Sequence, residues 1–103
     1  MTPKEGVIAF MGDALFIKTK PAKIHGDARY GIIVSKRNFR LAIQRNRAKR
    51  LLRDWISVNE DLMLPELDYI FIANDYILTT PRGEGRQLIK TGLIKIAKKY
   101  YER

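Results

Sequence analysis

The chain is organised around residues 35–54, which read SKRNFRLAIQRNRAKRLLRD. Between Lys36 and Arg53 this stretch holds eight basic residues and no acidic one, whereas the whole chain of 103 residues holds 20 basic and 11 acidic residues. Without residues 36–53, 12 basic residues remain against 11 acidic ones. Eight of the nine net positive charges therefore fall within 18 residues, which indicates one basic element in an otherwise nearly neutral protein.

The same stretch has the periodicity of an amphipathic helix. A turn of about 100° per residue places five apolar residues on one face: Leu41, Ala48, Leu51, Leu52 and Trp55. Four polar residues follow the spacing i, i+3, i+4, i+7 on the flank beside it: Asn46, Lys49, Arg50 and Arg53. We place the N-cap at Asn38 and the helix end near Ser57. Like charges at this spacing repel, and Asp54 relieves them only in part, so an external anion is the expected partner.

The composition is that of a folded chain, with 46% hydrophobic residues, and its length corresponds to a single domain over residues 1–103. A net charge of +9 and a pI near 10.0 predict nucleic acid or an anionic surface as the partner. The chain has no cysteine, which excludes disulfides and thiolate metal sites. No apolar run reaches the roughly 18 residues of a membrane helix, and the first residues do not form a signal peptide. We therefore expect a cytoplasmic protein.

The remaining segments predict the element order β-β-β-α-β-α. Strands are predicted at 7–10, 14–20, 28–36 and 68–74, and a second helix at 87–101. We expect the strand at 28–36 to be central and the strand at 68–74 to be buried on both faces, with a loop over 75–86. The core-facing stripe of the second helix consists of Ile89, Leu93, Ile96, Ala97 and Tyr100. The fold class is therefore α+β, with a mixed sheet of about four strands, a parallel βαβ crossover and helices over one sheet face.

The residue types needed for catalysis do not form a recognisable site. His25 is the single histidine and falls in a predicted loop without a predictable partner. Capping and solvation explain the carboxylates of Glu60, Asp61 and Asp68 better than a metal site does. The segment 83–85 lacks the rest of a phosphate-loop signature. We predict no catalytic residue and no metal site in the chain.

Binding chemistry is present in the basic helix and on one strand. Arginine offers a planar fork to phosphate, and Asn46 suits a sugar hydroxyl or a base edge because it both donates and accepts. On the strand at 14–20, Phe16, Lys18 and Lys20 share one face. Phe16 either stacks on a base or packs in the core, in which case the lysines protect a sheet edge from aggregation.

At these residues the chain resembles the protein subunit of bacterial ribonuclease P. The resemblance is strongest over residues 31–54, in the strand 31–37 and in Arg45-Asn46-Arg47 with its basic continuation, and extends over about residues 14–98. In that family a large RNA removes the 5′ leader of precursor tRNA, and the protein binds that RNA and the leader. The resemblance implies the protein cofactor of an endoribonuclease in tRNA processing, a hydrolase whose catalytic centre lies in the RNA and whose ribonucleoprotein holoenzyme uses Mg²⁺.

Carried over by position, the resemblance implies two groups of site residues. Those expected to contact the catalytic RNA are Arg40, Arg45, Asn46, Arg47, Lys49, Arg50 and Arg53. Those expected to face the leader are Phe16, Lys18, Ser35, Lys36 and Arg37.

The resemblance also implies two features of the fold. One is a left-handed crossover around the basic helix, where generic packing favours a right-handed one. The other is an N-terminal helix that walls the leader cleft, for which the 13 residues before Ala14 are too few here. We therefore expect that the cleft is either open or filled by another chain or by the RNA, and that sheet surface is left partly uncovered, which favours self-association.

Two other functions fit the charge pattern. The first is a non-catalytic protein of ribosomal type that binds structured RNA. The second is a DNA-binding domain that uses the same helix in a major groove, which is disfavoured because no short partner helix precedes residue 38.

Overall fold

The computed structural model describes residues 8–22 and 29–102. Their strands and helices are β1 (Ile8–Met11), β2 (Leu15–Pro21), β3 (Arg29–Ile33), α1 (Ala42–Ser57), β4 (Leu67–Ala73) and α2 (Arg82–Tyr101). Two short 3-10 turns, Glu60–Leu62 and Asp75–Thr79, lie on either side of β4. The predicted order β-β-β-α-β-α is confirmed. The predictions about His25 and an N-terminal helix concern residues outside the described ranges.

The four strands form one mixed sheet in the order β1-β2-β4-β3. β1 with β2 and β2 with β4 are antiparallel, whereas β3 and β4 are parallel, as predicted for the strands that flank α1. The prediction that β3 is central is wrong, since β2 and β4 are the interior strands and β3 lies at the edge. β4 has seven residues and carries Ile70 and Ile72 beside Asp68 on its second face, which suits an interior strand. The five-residue β3 carries one apolar side chain there, Ile33, beside Arg29 and Gly31, which suits an edge. The handedness of the crossover stays a prediction.

The hydrophobic core lies between one face of the sheet and the two helices. Along β4, Leu67, Tyr69, Phe71 and Ala73 are buried, while the alternate residues are half-buried. The prediction of burial on both faces is therefore wrong. Both helices contribute buried residues to this core: Ala48, Leu52, Trp55 and Ile56 from α1, and Ile89, Leu93 and Ile96 from α2. The outer face of the sheet is thereby left to residues that point away from the core.

α1 begins later than the sequence predicts. Its N-cap is Leu41 rather than Asn38, and Leu41 is 57% exposed instead of lying in the apolar stripe. Residues 36–38 form a turn in which the backbone N–H of Asn38 donates to the Ser35 Oγ at 3.3 Å. This turn directs Phe39 into the core, where it is fully buried. The predicted end at Ser57 is confirmed.

α2 begins at Arg82, five residues before the predicted start, so the predicted loop over 75–86 is wrong in its second half. Gly85 is buried against α1, where a Cβ atom would overlap the indole ring of Trp55. The buried Asn59 ties the same two helices, because its Nδ2 donates to the carbonyl oxygens of Trp55 at 2.9 Å and Arg86 at 3.0 Å. Close helix packing, rather than turn chemistry, explains the glycine.

The core-facing stripe of α2 is in the predicted register, with Ile89, Leu93 and Ile96 buried and Ala97 and Tyr100 half-buried. Within residues 8–22 and 29–102, neither helix combines the length and the apolar character needed to cross a bilayer.

Candidate nucleic-acid interface

The outward side of α1 carries the predicted cationic residues. Ala48, Leu52, Trp55 and Ile56 hold one side of the helix in the core, so the positions on the opposite side are directed away from it. Five of the predicted RNA-contacting residues are exposed and two are half-buried: Arg40, Asn46, Arg47, Arg50 and Arg53, and Arg45 and Lys49, respectively. The structure therefore brings all seven onto α1 or the segment that enters it.

Arg45 also shapes the entry to α1. Its Nη1 donates to the carbonyl oxygens of Phe39 at 2.8 Å and Arg40 at 3.1 Å. These bonds hold the two residues that precede the N-cap against the first turn of the helix. Arg45 thus positions Arg40 and places its own guanidinium at the start of the cationic face.

Asp54 does not relieve the repulsion within α1, contrary to the prediction. Its carboxylate accepts two hydrogen bonds from Arg86 of α2, Nε to Oδ2 at 3.1 Å and Nη2 to Oδ1 at 2.9 Å. The hydrogen bond from Arg86 holds the pKa of Asp54 below its usual value, and it raises the pKa of Arg86. This is the one ion pair among residues 8–22 and 29–102, so in that part of the chain the cations of α1 have no acidic partner.

The Asp54–Arg86 pair makes stability depend on pH. Because the pKa of Asp54 is lower in the folded than in the unfolded state, the pair stabilises the protein above the usual value near 3.8 and ceases to do so as the pH falls through the folded value. Asp54→Asn should therefore lower the urea midpoint slightly at pH 7, since both side chains are 38% exposed. The difference should shrink as the pH falls below the usual value near 3.8 and disappear once Asp54 is protonated in the folded protein. Asp61→Asn, at an exposed position outside any ion pair of the described residues, is the control. Equal midpoints for wild type and Asp54→Asn at pH 7 would contradict the expectation.

The outer face of the sheet carries an apolar row at one end. The strand register aligns Met11, Phe16, Ile72 and Ile33 across the four strands. Met11 is 76% exposed and Ile33 is 46% exposed, so this row faces solvent in the described part of the chain. Phe16 therefore lies outside the core, with the exposed Lys18 in the neighbouring row. The core alternative for Phe16 is excluded.

The turn after β3 lies at the same end of the sheet. β3 ends at Ile33, within the apolar row, and the Phe39 amide donates to the Ser35 carbonyl oxygen at 3.0 Å to close the turn. Lys36 and Arg37 are exposed in this turn. Phe16 and the turn that carries Ser35, Lys36 and Arg37 thus lie toward the same end of the sheet, from which the chain enters α1, while Lys18 lies near the middle of β2.

Two arginines at the start of α2 were not among the predicted RNA-contacting residues. Arg82 and Arg86 lie one turn apart in this helix and beside α1. Both fall within the segment that the sequence predicts to be a loop, where an interval of four residues has no structural meaning. In a helix that begins at Arg82, the same interval places both side chains on one face.

The carboxylates of the described residues are dispersed. Within residues 8–22 and 29–102, no three His, Cys, Asp or Glu side chains lie close enough together to hold a metal ion.

The family model of Ribonuclease P matches residues 8–97 of the chain. The chain belongs to the Ribonuclease P family. It is 35% identical over 85 residues to the ribonuclease P protein component of Marinobacter nauticus, an alignment that covers 82% of this chain and 63% of that relative. The chain therefore spans less than two thirds of the length of this relative.

Solved structures of the family share the fold. An RNase P protein mutant of Staphylococcus aureus with defective mRNA degradation activity superposes with a TM-score of 0.72 at 26% identity, over 89% of this chain and 75% of that one. The RNase P protein of Thermotoga maritima superposes with a TM-score of 0.70 at 16% identity, over 82% of this chain and 79% of that one. The predicted resemblance to this family and its α+β fold are thereby confirmed.

Proposed function

We propose that the chain is the protein subunit of a ribonuclease P ribonucleoprotein and supports endonucleolytic removal of the 5′ leader from precursor tRNA. The observation that carries this proposal is the outward side of α1, whose cations have no acidic partner among the described residues. A surface of this kind is stabilised by a polyanion, and the match to the Ribonuclease P family supports a catalytic RNA as that polyanion.

In this proposal, the side chains of α1 bind mainly the sugar–phosphate backbone of the catalytic RNA. Arg50 and Arg53 are exposed, and their planar guanidinium groups suit bidentate contacts with phosphate. Lys49 adds a point charge, and the exposed Asn46 both donates to and accepts from a ribose hydroxyl or a base edge. Burial of the opposite side of α1 in the core keeps these groups in fixed register.

The 5′ leader lies across the outer face of the sheet in this proposal. Phe16 stacks on a base, with Met11, Ile33 and Ile72 around it, and this contact tolerates different sequences because every base has a π face. Lys18, Lys36 and Arg37 pair with leader phosphates around the same row. When no leader is bound, the exposed row favours self-association of the protein.

The chemical step belongs to the RNA in this proposal. Mg²⁺ bound to the ribonucleoprotein supplies the activation of water and the stabilisation of charge on the phosphate. The residues of this chain bind and orient the two RNA molecules, and none of them is assigned a proton transfer.

Reconstitution tests the function. The protein is mixed with an in vitro transcript of a bacterial ribonuclease P RNA at low magnesium concentration, and cleavage of a precursor tRNA is followed. We expect the protein to raise the rate of leader removal, and to raise it less for a precursor whose leader is cut to one nucleotide. The protein without the RNA should not cleave.

Three outcomes would contradict the proposal. The absence of stimulation at every salt concentration would exclude the cofactor role, and binding to ribosomal RNA in that case would favour the alternative of a non-catalytic structured-RNA-binding protein. Cleavage by the protein alone would place the chemistry in this chain. Tighter binding to duplex DNA than to the RNA would favour a DNA-binding domain.

A further inference from the structure

A basic concavity lies where α1 meets the first turn of α2. It has a volume of about 410 Å³ and is lined by Arg47, Arg50, Leu51, Asp54 and Arg82. Arg47, Arg50 and Arg82 are exposed. The concavity thus brings together guanidinium groups from two helices, whereas the predicted RNA-contacting residues are confined to α1 and its entry.

The charges around this concavity are not balanced by the residues that form it. Asp54 is the acidic residue that lines it, and Arg86 already occupies both of its carboxylate oxygens. Counting Arg86, four guanidinium groups and one carboxylate leave three positive charges at this place. The packing of Gly85 on Trp55, the hydrogen bonds of Asn59 and the Asp54–Arg86 pair hold the two helices in contact despite this excess of positive charge.

We propose that Arg47, Arg50 and Arg82 together bind a backbone phosphate of the catalytic RNA, so that the RNA-binding surface continues from α1 onto α2. This inference rests on the proposed function and extends it to a helix that the sequence did not assign to RNA. Guanidinium groups are suited to the contact because each offers two parallel donors to phosphate oxygens. Arg86 is a positioning residue here, since its guanidinium group donates to both carboxylate oxygens of Asp54. The three arginines that line the concavity therefore stay available for an external anion.

Binding of the ribonuclease P RNA transcript to Arg82→Gln tests the inference. We expect a loss of about tenfold in affinity and a salt dependence shallower by about one unit of log Kd per log salt, as for one phosphate contact. Arg82→Lys keeps the positive charge but not the forked guanidinium group, so it should lose less affinity than Arg82→Gln. The matched control is Lys90→Gln, an exposed cation two turns further along α2, which should change the affinity less than twofold. Far-ultraviolet circular dichroism and the urea midpoint verify that each variant is folded.

A double-mutant cycle then asks whether the arginines share one phosphate. The combined loss in Arg50→Gln/Arg82→Gln should be smaller than the product of the single losses, whereas Arg53→Gln/Arg82→Gln should be multiplicative. Equal losses in Arg82→Gln and Lys90→Gln, or wild-type affinity of Arg82→Gln while Arg50→Gln binds weakly, would overturn the inference and leave the proposed function intact. A wild-type protein that does not bind the transcript would overturn both.

Discussion

Gly85→Ala is expected to destabilise the protein by about 3 kcal/mol or more, at the upper end of the range for overpacked cores. A Cβ atom at this position would overlap the indole ring of Trp55, which is fully buried. A large, rigid ring in a close-packed core has no free space to enter, so α1 and α2 must move apart. Thermal unfolding should show a midpoint lower by about 12 °C or more for a domain of this size.

Gly83→Ala is the matched control, two residues earlier in the same turn of α2. A Cβ atom at Gly83 has nothing within 4 Å. The substitution also has the favourable helix propensity of alanine, so we expect it to be neutral or to stabilise by up to about 1 kcal/mol. If both variants unfolded at the same temperature, the close approach of α2 to Trp55 would not be a feature of the protein in solution.

Replacement of Arg50 and Arg53 together by glutamine should weaken binding to the ribonuclease P RNA by about 100-fold, because each lost charge-assisted phosphate contact costs about tenfold. The slope of log affinity against log salt should become shallower by about 2, since two fewer counterions are released. Both residues are exposed, so the urea midpoint should stay close to that of the wild type. Filter binding over a series of salt concentrations measures both quantities.

The control for this pair is Lys98→Gln/Lys99→Gln, which removes the same charge from exposed positions in the last turn of α2. Equal loss of affinity in the two double variants would mean that net charge, and not the cationic face of α1, accounts for binding. A double variant of α1 that unfolds at low urea would mean that Arg50 and Arg53 support the fold.

Local patterns were sufficient to predict the elements and much of the candidate site. The spacing of Ile89, Leu93 and Ile96 placed the core side of α2 correctly, because helical periodicity depends only on neighbours along the chain. The cationic face of α1 was likewise predictable from the spacing of Asn46 and Arg50 within one helix. The seven residues that the resemblance implied all lie on α1 or at its entry.

Features that depend on distant residues could not be predicted in this way. Gly85 looked like part of a loop, since nothing in the segment around it reveals that Trp55 packs there. Asp54 was assigned to neighbours within α1, but its partner Arg86 is 32 residues away. The edge position of β3 depends on its pairing with β4, which lies beyond α1 in sequence.

One side of α1 is part of the hydrophobic core and the other side carries the exposed cations, and both belong to one continuous helix. Global unfolding must therefore release whatever is bound to the charged side, and occupancy of that side must oppose unfolding. At a ligand concentration 100 times Kd this linkage amounts to about 2.7 kcal/mol. The protein bound to a polyanion should consequently unfold at a higher temperature than the isolated protein, and this temperature should rise with the concentration of the polyanion.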